Sequence, residues 1–200
     1  MGDGTSGVVL AGGASRRMGE VDKRAVLVDD RPLLAAAVEA ARTVCDEVLI
    51  AAGAHDPPPT VAGARVVHDR APDGGPLAGI EAGLRAAAFE QVLVLAGDHP
   101  AAAPAVLADL LARLTADEHL DAVVLGTDHG PQPLVGAYRS SVADEVGRLL
   151  DRGQRRARAL LDALRVEVVE VAAWHDLDPG GETAIDLDTP AELAAWRARR

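Results

Sequence analysis

The sequence is poor in several residue types, and each shortage excludes a class of protein. Aromatic residues make up 2% of the chain, so the core must consist mainly of alanine, valine and leucine. No apolar run approaches the ~20 residues of a membrane span, and the N-terminus lacks the features of a signal peptide. The single cysteine, Cys45, excludes an intrachain disulfide and follows an apolar stretch, which favours a small buried side chain over a nucleophile. We therefore expect a cytoplasmic protein that does not contact a membrane.

The charged residues are distributed just as unevenly. Twenty basic and 31 acidic residues give a formal net charge of −11, which argues against broad binding to nucleic acids or anionic membranes. Asparagine is absent, and the cations are nineteen arginines and one lysine, Lys23. Unless it is there by chance, a lone lysine in an arginine-rich chain indicates a position where a compact ammonium does what a guanidinium cannot.

Short apolar runs alternate with longer helical patterns along the whole chain. The predicted strands are 7–11, 47–52, 65–68, 91–96, 122–126, 133–138 and 166–172. Helical patterns cover 32–41, 77–88, 104–114, 141–150 and 155–164, and a capping box at 189–192 opens the last helix. This alternation predicts one α/β domain over 1–200, a Rossmann-like three-layer sandwich with a mostly parallel sheet. We expect residues 1–6 to form a flexible tail. Ligands of such sheets bind beyond the carboxyl ends of the strands.

The loop after the first predicted strand combines glycines with positive charge. Gly12 and Gly13 allow backbone amides to approach an anion closely. Arg16, Arg17 and Lys23 add cations in an otherwise acidic chain. The loop lacks the Gly-Lys-Ser/Thr of a Walker A motif. Because glycines, arginines and the sole lysine coincide, this loop favours a nucleoside triphosphate site over an ordinary turn with solvated arginines.

The loop after the fourth predicted strand, Gly97-Asp98-His99-Pro100, contains a carboxylate at the strand tip. Such a carboxylate can hold Mg²⁺ against phosphate oxygens, or it can simply cap the next helix. A triphosphate loop at the same sheet edge favours the metal. The six histidines lack the spacing of a zinc site, so zinc is not expected.

Five motifs occur in order along the chain: LAGGASRRMGEVDK, GGPLAGIEAGL, GDHP, PLVGAYR and IDLDTPAEL. Together they resemble the molybdenum cofactor guanylyltransferase family of nucleotidyltransferases, and the resemblance extends from Leu10 to about Trp196. The glycine pair of the first motif and the PLAG of the second resemble the guanylyl branch more than the cytidylyl branch.

The resemblance implies a Mg²⁺-dependent nucleotidyltransferase that transfers GMP from GTP to molybdopterin and releases pyrophosphate. Its partners would be GTP and molybdopterin or the carrier protein of molybdopterin, with no nucleic acid, and we expect a monomer. Two alternatives stay open. One is a nucleotidyltransferase with another acceptor, such as a cytidylyl-branch enzyme or one acting on a sugar phosphate. The other is a catalytically inactive GTP-binding module, against which the presence of both Lys23 and Asp98 argues.

The resemblance also assigns roles to residues near the nucleotide. The guanine and ribose side of GTP would be bound by the first loop, at Leu10, Ala11, Gly12 and Gly13. The phosphates would be neutralised by Lys23 and Arg17. Asp69 would contact the nucleotide, as would position 53, where the family commonly has asparagine and this chain has Gly53.

Residues later in the chain receive roles from the same resemblance. Asp98 would ligate Mg²⁺ and contact the nucleotide. Asp186 and Asp188 would lie near the metal or the pterin, in a segment where the family often has asparagine. Arg155 and Arg156, within a cluster that includes Arg152 and Arg158, are candidates for the pterin phosphate; the alternative is a solvated helix face.

Overall fold

The computed structural model of the chain describes residues 4–11, 27–28, 31–53, 58–71 and 73–199. Its strands are β1 (Thr5–Leu10), β2 (Leu27–Val28), β3 (Arg31–Pro32), β4 (Glu47–Ala51), β5 (Arg65–Val67), β6 (Gln91–Ala96), β7 (Ala122–Thr127), β8 (Gly130–Arg139) and β9 (Val166–Val169). Its α-helices are α1 (Leu33–Arg42), α2 (Gly75–Ala86), α3 (Pro104–Ala116), α4 (Ala143–Asp151), α5 (Ala159–Ala163), α6 (Val171–Trp174) and α7 (Pro190–Arg197). No helix within the described ranges is long and apolar enough to cross a membrane.

Seven strands form one sheet in the order β5-β4-β1-β6-β8-β7-β9, and β2 pairs with β3 in a separate ribbon. The β1–β4, β1–β6, β4–β5 and β7–β9 pairs are parallel, whereas β8 runs antiparallel to both of its neighbours. Six strands therefore point the same way. Their near-continuous apolar runs are typical of parallel strands that are buried on both faces. The predicted mostly parallel sheet is confirmed.

Helices cover both faces of this sheet, which makes the predicted three-layer sandwich. Val8 of β1 packs in a core with Ile80 of α2 and with residues of α4. The next residue, Val9, faces the opposite way and packs in a core with α1 and with Leu110 of α3. The change of face at each step follows from the pleat of the strand.

A third, smaller core joins the C-terminal segment to the start of α1. Trp196 of α7 and Leu187 pack with Val28 and Leu33. The predicted capping box is present at the start of α7, where the Thr189 hydroxyl accepts the Glu192 amide at 3.2 Å. The C-terminal segment therefore returns to the part of the sheet that carries β1 and β6.

Three predictions at the chain's ends and connections need correction. Residues 1–6 were expected to be a flexible tail, but Thr5 and Ser6 belong to β1, because β6 pairs with both residues and β4 pairs with Ser6. The strand predicted over 166–172 ends at Val169, and α6 follows at once. This helix turns Trp174 inward, where its indole Nε1 donates to the Gly126 carbonyl at 2.9 Å. The helix predicted over 155–164 is reduced to Ala159–Ala163.

Candidate functional site

The carboxyl ends of β1, β4 and β6 lie level at one edge of the sheet. Leu10 is paired with Ala51 on one side and with Ala96 on the other. Beyond the strands, the Ala11 amide donates to the Ala51 carbonyl at 2.9 Å, and the Gly97 amide donates to the Leu10 carbonyl at 3.0 Å. These bonds hold the beginnings of two predicted site loops, the nucleotide loop and the Asp98 loop, directly beside each other.

Two glycines allow this close approach. A Cβ on Gly97 would lie 2.9 Å from the Leu10 carbonyl oxygen and 3.0 Å from Cδ1 of Leu34. A Cβ on Gly79 of α2 would lie 3.1 Å from Cδ2 of Leu10 and 3.9 Å from Oδ1 of Asp69. Asp69 is half-buried and lies beside the end of β1, so the structure brings this predicted nucleotide contact next to Leu10.

Gly53 begins the turn after β4 and has a φ of +61°. Glycine adopts this left-handed conformation at no steric cost, and asparagine is one of the few other residues that tolerate it. An asparagine, which the resemblance leads us to expect at this position, could therefore adopt the same backbone conformation. The contact that an asparagine side chain could make is absent.

Three carboxylates are grouped at the carboxyl end of β6. The pKa of Asp186 is raised above its usual value, first by burial; the charges of Asp98 and Asp188 raise it further, while His99 lowers it. Asp186 therefore lies within electrostatic reach of both Asp98 and Asp188. Their combined negative charge favours a cation between them.

The geometry of this acidic group limits what it can do alone. Within the described part of the chain, no three histidine, cysteine, aspartate or glutamate side chains are arranged to hold a metal ion. Mg²⁺ in phosphate-transfer sites is typically held by one or two carboxylates, with substrate phosphates and water as the other ligands. The arrangement around Asp98 therefore suits a cation that arrives with a polyphosphate.

The segment that carries the candidate pterin arginines, residues 152–158, lies against the first turn of α2 at the same sheet edge. The Leu77 amide donates to the Arg155 carbonyl at 3.4 Å, and a Cβ on Gly75 would lie 2.7 Å from that carbonyl oxygen. The Arg155 guanidinium donates to the Leu150 carbonyl at 3.0 Å, at the end of α4. Arg155 thus has a structural role in addition to its predicted one, and Arg156 beside it is exposed.

The sequence did not reveal an ion cluster around the buried carboxylate of Glu81, which includes Arg70, the residue after Asp69. Arg70 donates from Nε to both carboxylate oxygens of Glu81 at 2.8 Å, and Arg85 donates to the same carboxylate at 2.8 Å. Burial raises the pKa of Glu81, but the hydrogen bonds and charges of the two arginines outweigh it and hold the pKa below its usual value. The i,i+4 spacing of Glu81 and Arg85 was visible in the sequence, whereas the burial was not.

Four predicted residues of the nucleotide loop, Gly12, Gly13, Arg17 and Lys23, lie outside the described residues. Their roles stay predictions from the sequence. The described ends of that loop are Leu10–Ala11 and Leu27–Val28.

Residues 7–168 match the family model of the MobA-like NTP transferase domain. The chain is 34% identical over 199 residues to a probable molybdenum cofactor guanylyltransferase of Chloroflexus aggregans, a match that covers 96% of this chain and 93% of the relative. It is 38% identical to a molybdenum cofactor guanylyltransferase of Burkholderia lata, with 86% of each chain covered.

A solved structure gives a similar result. The fold superposes with a TM-score of 0.79 on the molybdopterin-guanine dinucleotide biosynthesis protein A of Archaeoglobus fulgidus, which is 25% identical, with 97% of each chain covered. A nucleotidyl transferase of Methanothermobacter, at 22% identity and a TM-score of 0.72, shares the fold. These matches confirm the family resemblance read from the five sequence motifs.

Proposed function

The chain belongs to the molybdenum cofactor guanylyltransferase family of MobA-like NTP transferases, and on that premise we propose that it transfers GMP from GTP to molybdopterin. The observation that carries the proposal is the direct bond between the Gly97 amide and the Leu10 carbonyl. It sets the carboxylate loop of Asp98 against the start of the nucleotide loop, where a triphosphate and its counter-ion would meet.

In the proposed reaction, an oxygen of the terminal phosphate of molybdopterin attacks the α-phosphorus of GTP. A new phosphoanhydride bond forms, the bond between the α-phosphorus and the bridging oxygen breaks, and pyrophosphate leaves in line. No covalent intermediate on the protein is needed. Positioning of the two substrates and neutralisation of phosphate charge supply most of the catalysis in such transfers.

The residues around Asp98 fit a divalent cation. Their donor atoms are carboxylate oxygens, which are the ligands that Mg²⁺ prefers. The negative charges of Asp98 and Asp188 add to the burial that raises the pKa of Asp186, and a cation would offset those charges. We propose Asp98 as the principal protein ligand, with Asp186 and Asp188 beside it. When bound, Mg²⁺ would neutralise phosphate charge on the nucleotide.

The remaining predicted residues would bind the nucleotide, the departing pyrophosphate and the pterin. Leu10, Ala11 and the loop that includes Gly12 and Gly13 would hold the guanine and ribose, with Gly53 and Asp69 completing the nucleotide site. Lys23 and Arg17 would neutralise the charge on the departing pyrophosphate; for these two residues the support is the sequence alone. Arg155 and Arg156 would bind the phosphate of the pterin.

The test is to incubate the protein with GTP, Mg²⁺ and molybdopterin, free or on its carrier, and to detect the guanine dinucleotide and pyrophosphate by mass spectrometry. Parallel reactions with CTP, ATP and a sugar phosphate acceptor distinguish the other nucleotidyltransferases. GTP binding by calorimetry without any product would indicate an inactive binding module. Formation of a cytidylyl or sugar nucleotide in preference to the guanine dinucleotide would overturn the proposal.

Two variants test the metal and the lone lysine. Asp98→Asn should abolish metal-dependent turnover, whereas Asp128→Asn, an exposed carboxylate in the β7–β8 turn at the same edge, should leave turnover unchanged. Near-normal turnover in Asp98→Asn would refute the metal assignment.

Lys23→Arg keeps the positive charge and replaces the compact ammonium by a planar guanidinium, so full activity in that variant would show that the lysine is there by chance.

The pterin assignment has a separate test. Arg156→Ala should raise KM for molybdopterin and leave KM for GTP unchanged. Arg42→Ala removes an exposed arginine from the far end of α1 and is the matched control. Equal kinetics in both variants would identify the 152–158 segment as a solvated face.

We further propose that the protein works in the cytoplasm as a monomer and has no nucleic-acid partner. The net charge of −11 supports the last point, because it repels a polyanion. Light scattering coupled to size-exclusion chromatography tests the monomer, and a mass twice that of the chain would contradict it.

A further inference from the structure

Thr183, in the connection between α6 and α7, is the centre of a buried hydrogen-bond network. Its side chain is fully buried, as is most of Asp178. The Thr183 amide and hydroxyl both donate to Oδ2 of Asp178 at 2.7 Å, and the hydroxyl accepts the Ala103 amide at 2.9 Å. The Thr183 carbonyl accepts a hydrogen bond from Nδ1 of His99 at 3.0 Å; because a carbonyl can only accept, Nδ1 carries the proton. Every polar group of Thr183 is therefore engaged.

All the long-range bonds of this network end on the segment that follows β6. Thr183 reaches His99 and Ala103, and the Leu187 amide donates to the Asp98 carbonyl at 3.0 Å. Residues 98–103 are thus held at both ends by residues 183–187, which lie at least 80 positions later in the chain; the separation between Ala103 and Thr183 is 80. Asp98 is the first residue of this segment, 98–103, which the hydrogen bonds hold in place.

We propose that Thr183 is a positioning residue: its hydroxyl holds the 98–103 segment so that the Asp98 carboxylate is set for the divalent cation that accompanies the nucleotide. The inference rests on the proposed function, in which Asp98 is the metal ligand. Groups behind a metal ligand fix its orientation, and their loss typically weakens metal binding by ~10- to 100-fold.

The alternative is that the Thr183 network only stabilises the fold, and the chain contains a matched control for that role. Ser6 is fully buried at the amino end of β1, at the opposite edge of the sheet. Its hydroxyl donates to Oε1 of Glu47 at 2.6 Å and accepts the Phe89 amide at 3.3 Å. The hydroxyl groups of Thr183 and Ser6 therefore make the same kinds of hydrogen bond, each donating to a carboxylate and accepting a backbone amide, on opposite sides of the molecule.

The experiment measures the dissociation constant of Mn²⁺, as a paramagnetic probe for the Mg²⁺ site, by electron paramagnetic resonance. The protein is first saturated with an α,β-methylene analogue of GTP, which cannot be cleaved at the reacting bond. Thr183→Val keeps the shape of the side chain and removes the hydroxyl, Thr183→Ser restores the hydroxyl, and Ser6→Ala is the control. Thermal unfolding of each variant reports the purely structural cost.

We expect Thr183→Val to bind Mn²⁺ at least ~10-fold more weakly than wild type, with Thr183→Ser and Ser6→Ala close to wild type. Thr183→Ala takes the place of Thr183→Val if the valine variant does not fold. Equal Mn²⁺ affinity in the hydroxyl-deleted variant and in Ser6→Ala would overturn the inference, because the network would then be structural only.

A failure of the proposed function can be distinguished from a failure of the positioning role of Thr183. If wild type makes no guanine dinucleotide, the proposed function fails, whatever the Mn²⁺ affinities are. If wild type makes the product and Thr183→Val binds Mn²⁺ as wild type does, the proposed function stands and the positioning role is refuted.

Discussion

The buried carboxylate of Glu81 provides a test in which removal of the cations should cost more stability than removal of the anion. The Glu81 side chain is 1% exposed, whereas its partners Arg70 and Arg85 are 57% and 43% exposed. Replacement of Glu81 by glutamine leaves two arginines that water can reach. Replacement of both arginines by alanine leaves the Glu81 carboxylate without either of its cations.

The magnitudes follow from this difference in exposure. Glu81→Gln removes charge-assisted hydrogen bonds but leaves no buried charge without a partner. We therefore expect the free energy of unfolding to fall by about 1–2 kcal/mol at neutral pH. The Arg70→Ala, Arg85→Ala double variant leaves the Glu81 carboxylate without a compensating charge, so we expect a larger loss than in Glu81→Gln. Adding Glu81→Leu to the double variant should restore part of that loss, because an apolar side chain of similar size tolerates burial.

The pH dependence of the free energy of unfolding distinguishes the loss of charge interactions from the loss of packing. In wild type, the pKa of Glu81 is lowered, so its stabilising contribution is complete above the pKa of the unfolded chain and is lost as pH falls through the folded-state value. Without the arginines, burial should raise that pKa instead, and the folded state then gains relative stability as the carboxyl group becomes protonated. The gap between wild type and the double variant should therefore narrow as pH is lowered from about 7 to about 4.

The assay is urea unfolding followed by circular dichroism at several pH values, with the linear extrapolation giving the free energy of unfolding. The reasoning is refuted if the double arginine variant is no less stable than Glu81→Gln at neutral pH. A gap that widens on acidification would also refute it, because the buried charge would not then be the cause.

Other contacts predict the behaviour of single substitutions. Gly83→Ala should lower the free energy of unfolding by about 1–3 kcal/mol, because a Cβ there would lie 2.4 Å from Cγ1 of Val8, a stiff side chain in a central strand; unchanged urea unfolding would contradict this. Burial and the charge of Asp46 raise the pKa of Cys45 to about 12, so the native thiol should resist a disulfide reagent at about pH 8 and react once the chain is unfolded. Equal rates in both states would refute it. Thr189→Ala, which removes the α7 cap, should cost about 1 kcal/mol in thermal unfolding, and no measurable loss would show that the cap is redundant.

The parallel core of the fold was predictable because its signals are local. Val8 and Val9 belong to an apolar run that ends in a glycine turn, and the run over Gln91–Ala96 was predicted with the bounds that the structure has. The edges were less predictable. Thr5 and Ser6 look like part of a loose tail, yet pairing with two neighbouring strands makes them part of β1. The same tertiary context ended β9 early, where Trp174 turns inward.

The residues of the candidate site also differ in how far the sequence alone could identify them. Asp98 was named from the chemistry of its own loop, whereas Asp69 and Asp186 received their roles from the family resemblance. The proximity of Asp186 to Asp98 was inferred from the family resemblance, and the structure supports it through the electrostatic coupling of the two carboxyl groups. Lys23 remains a prediction from composition, since it lies outside the described residues.

By itself, then, the sequence determined the alternation of strands and helices, the glycine and acidic loops at the strand ends, and the family. Tertiary structure alone decided which distant groups support those loops. Thr183 lies in none of the five motifs, and its partner Ala103 is far away in the chain. Glu81 lies in a motif and its arginine partners are 11 and 4 positions away, but its burial was not visible in the sequence. A hydrogen bond between residues 80 positions apart leaves no local pattern in a single sequence, and it appears only when packing brings the two segments together.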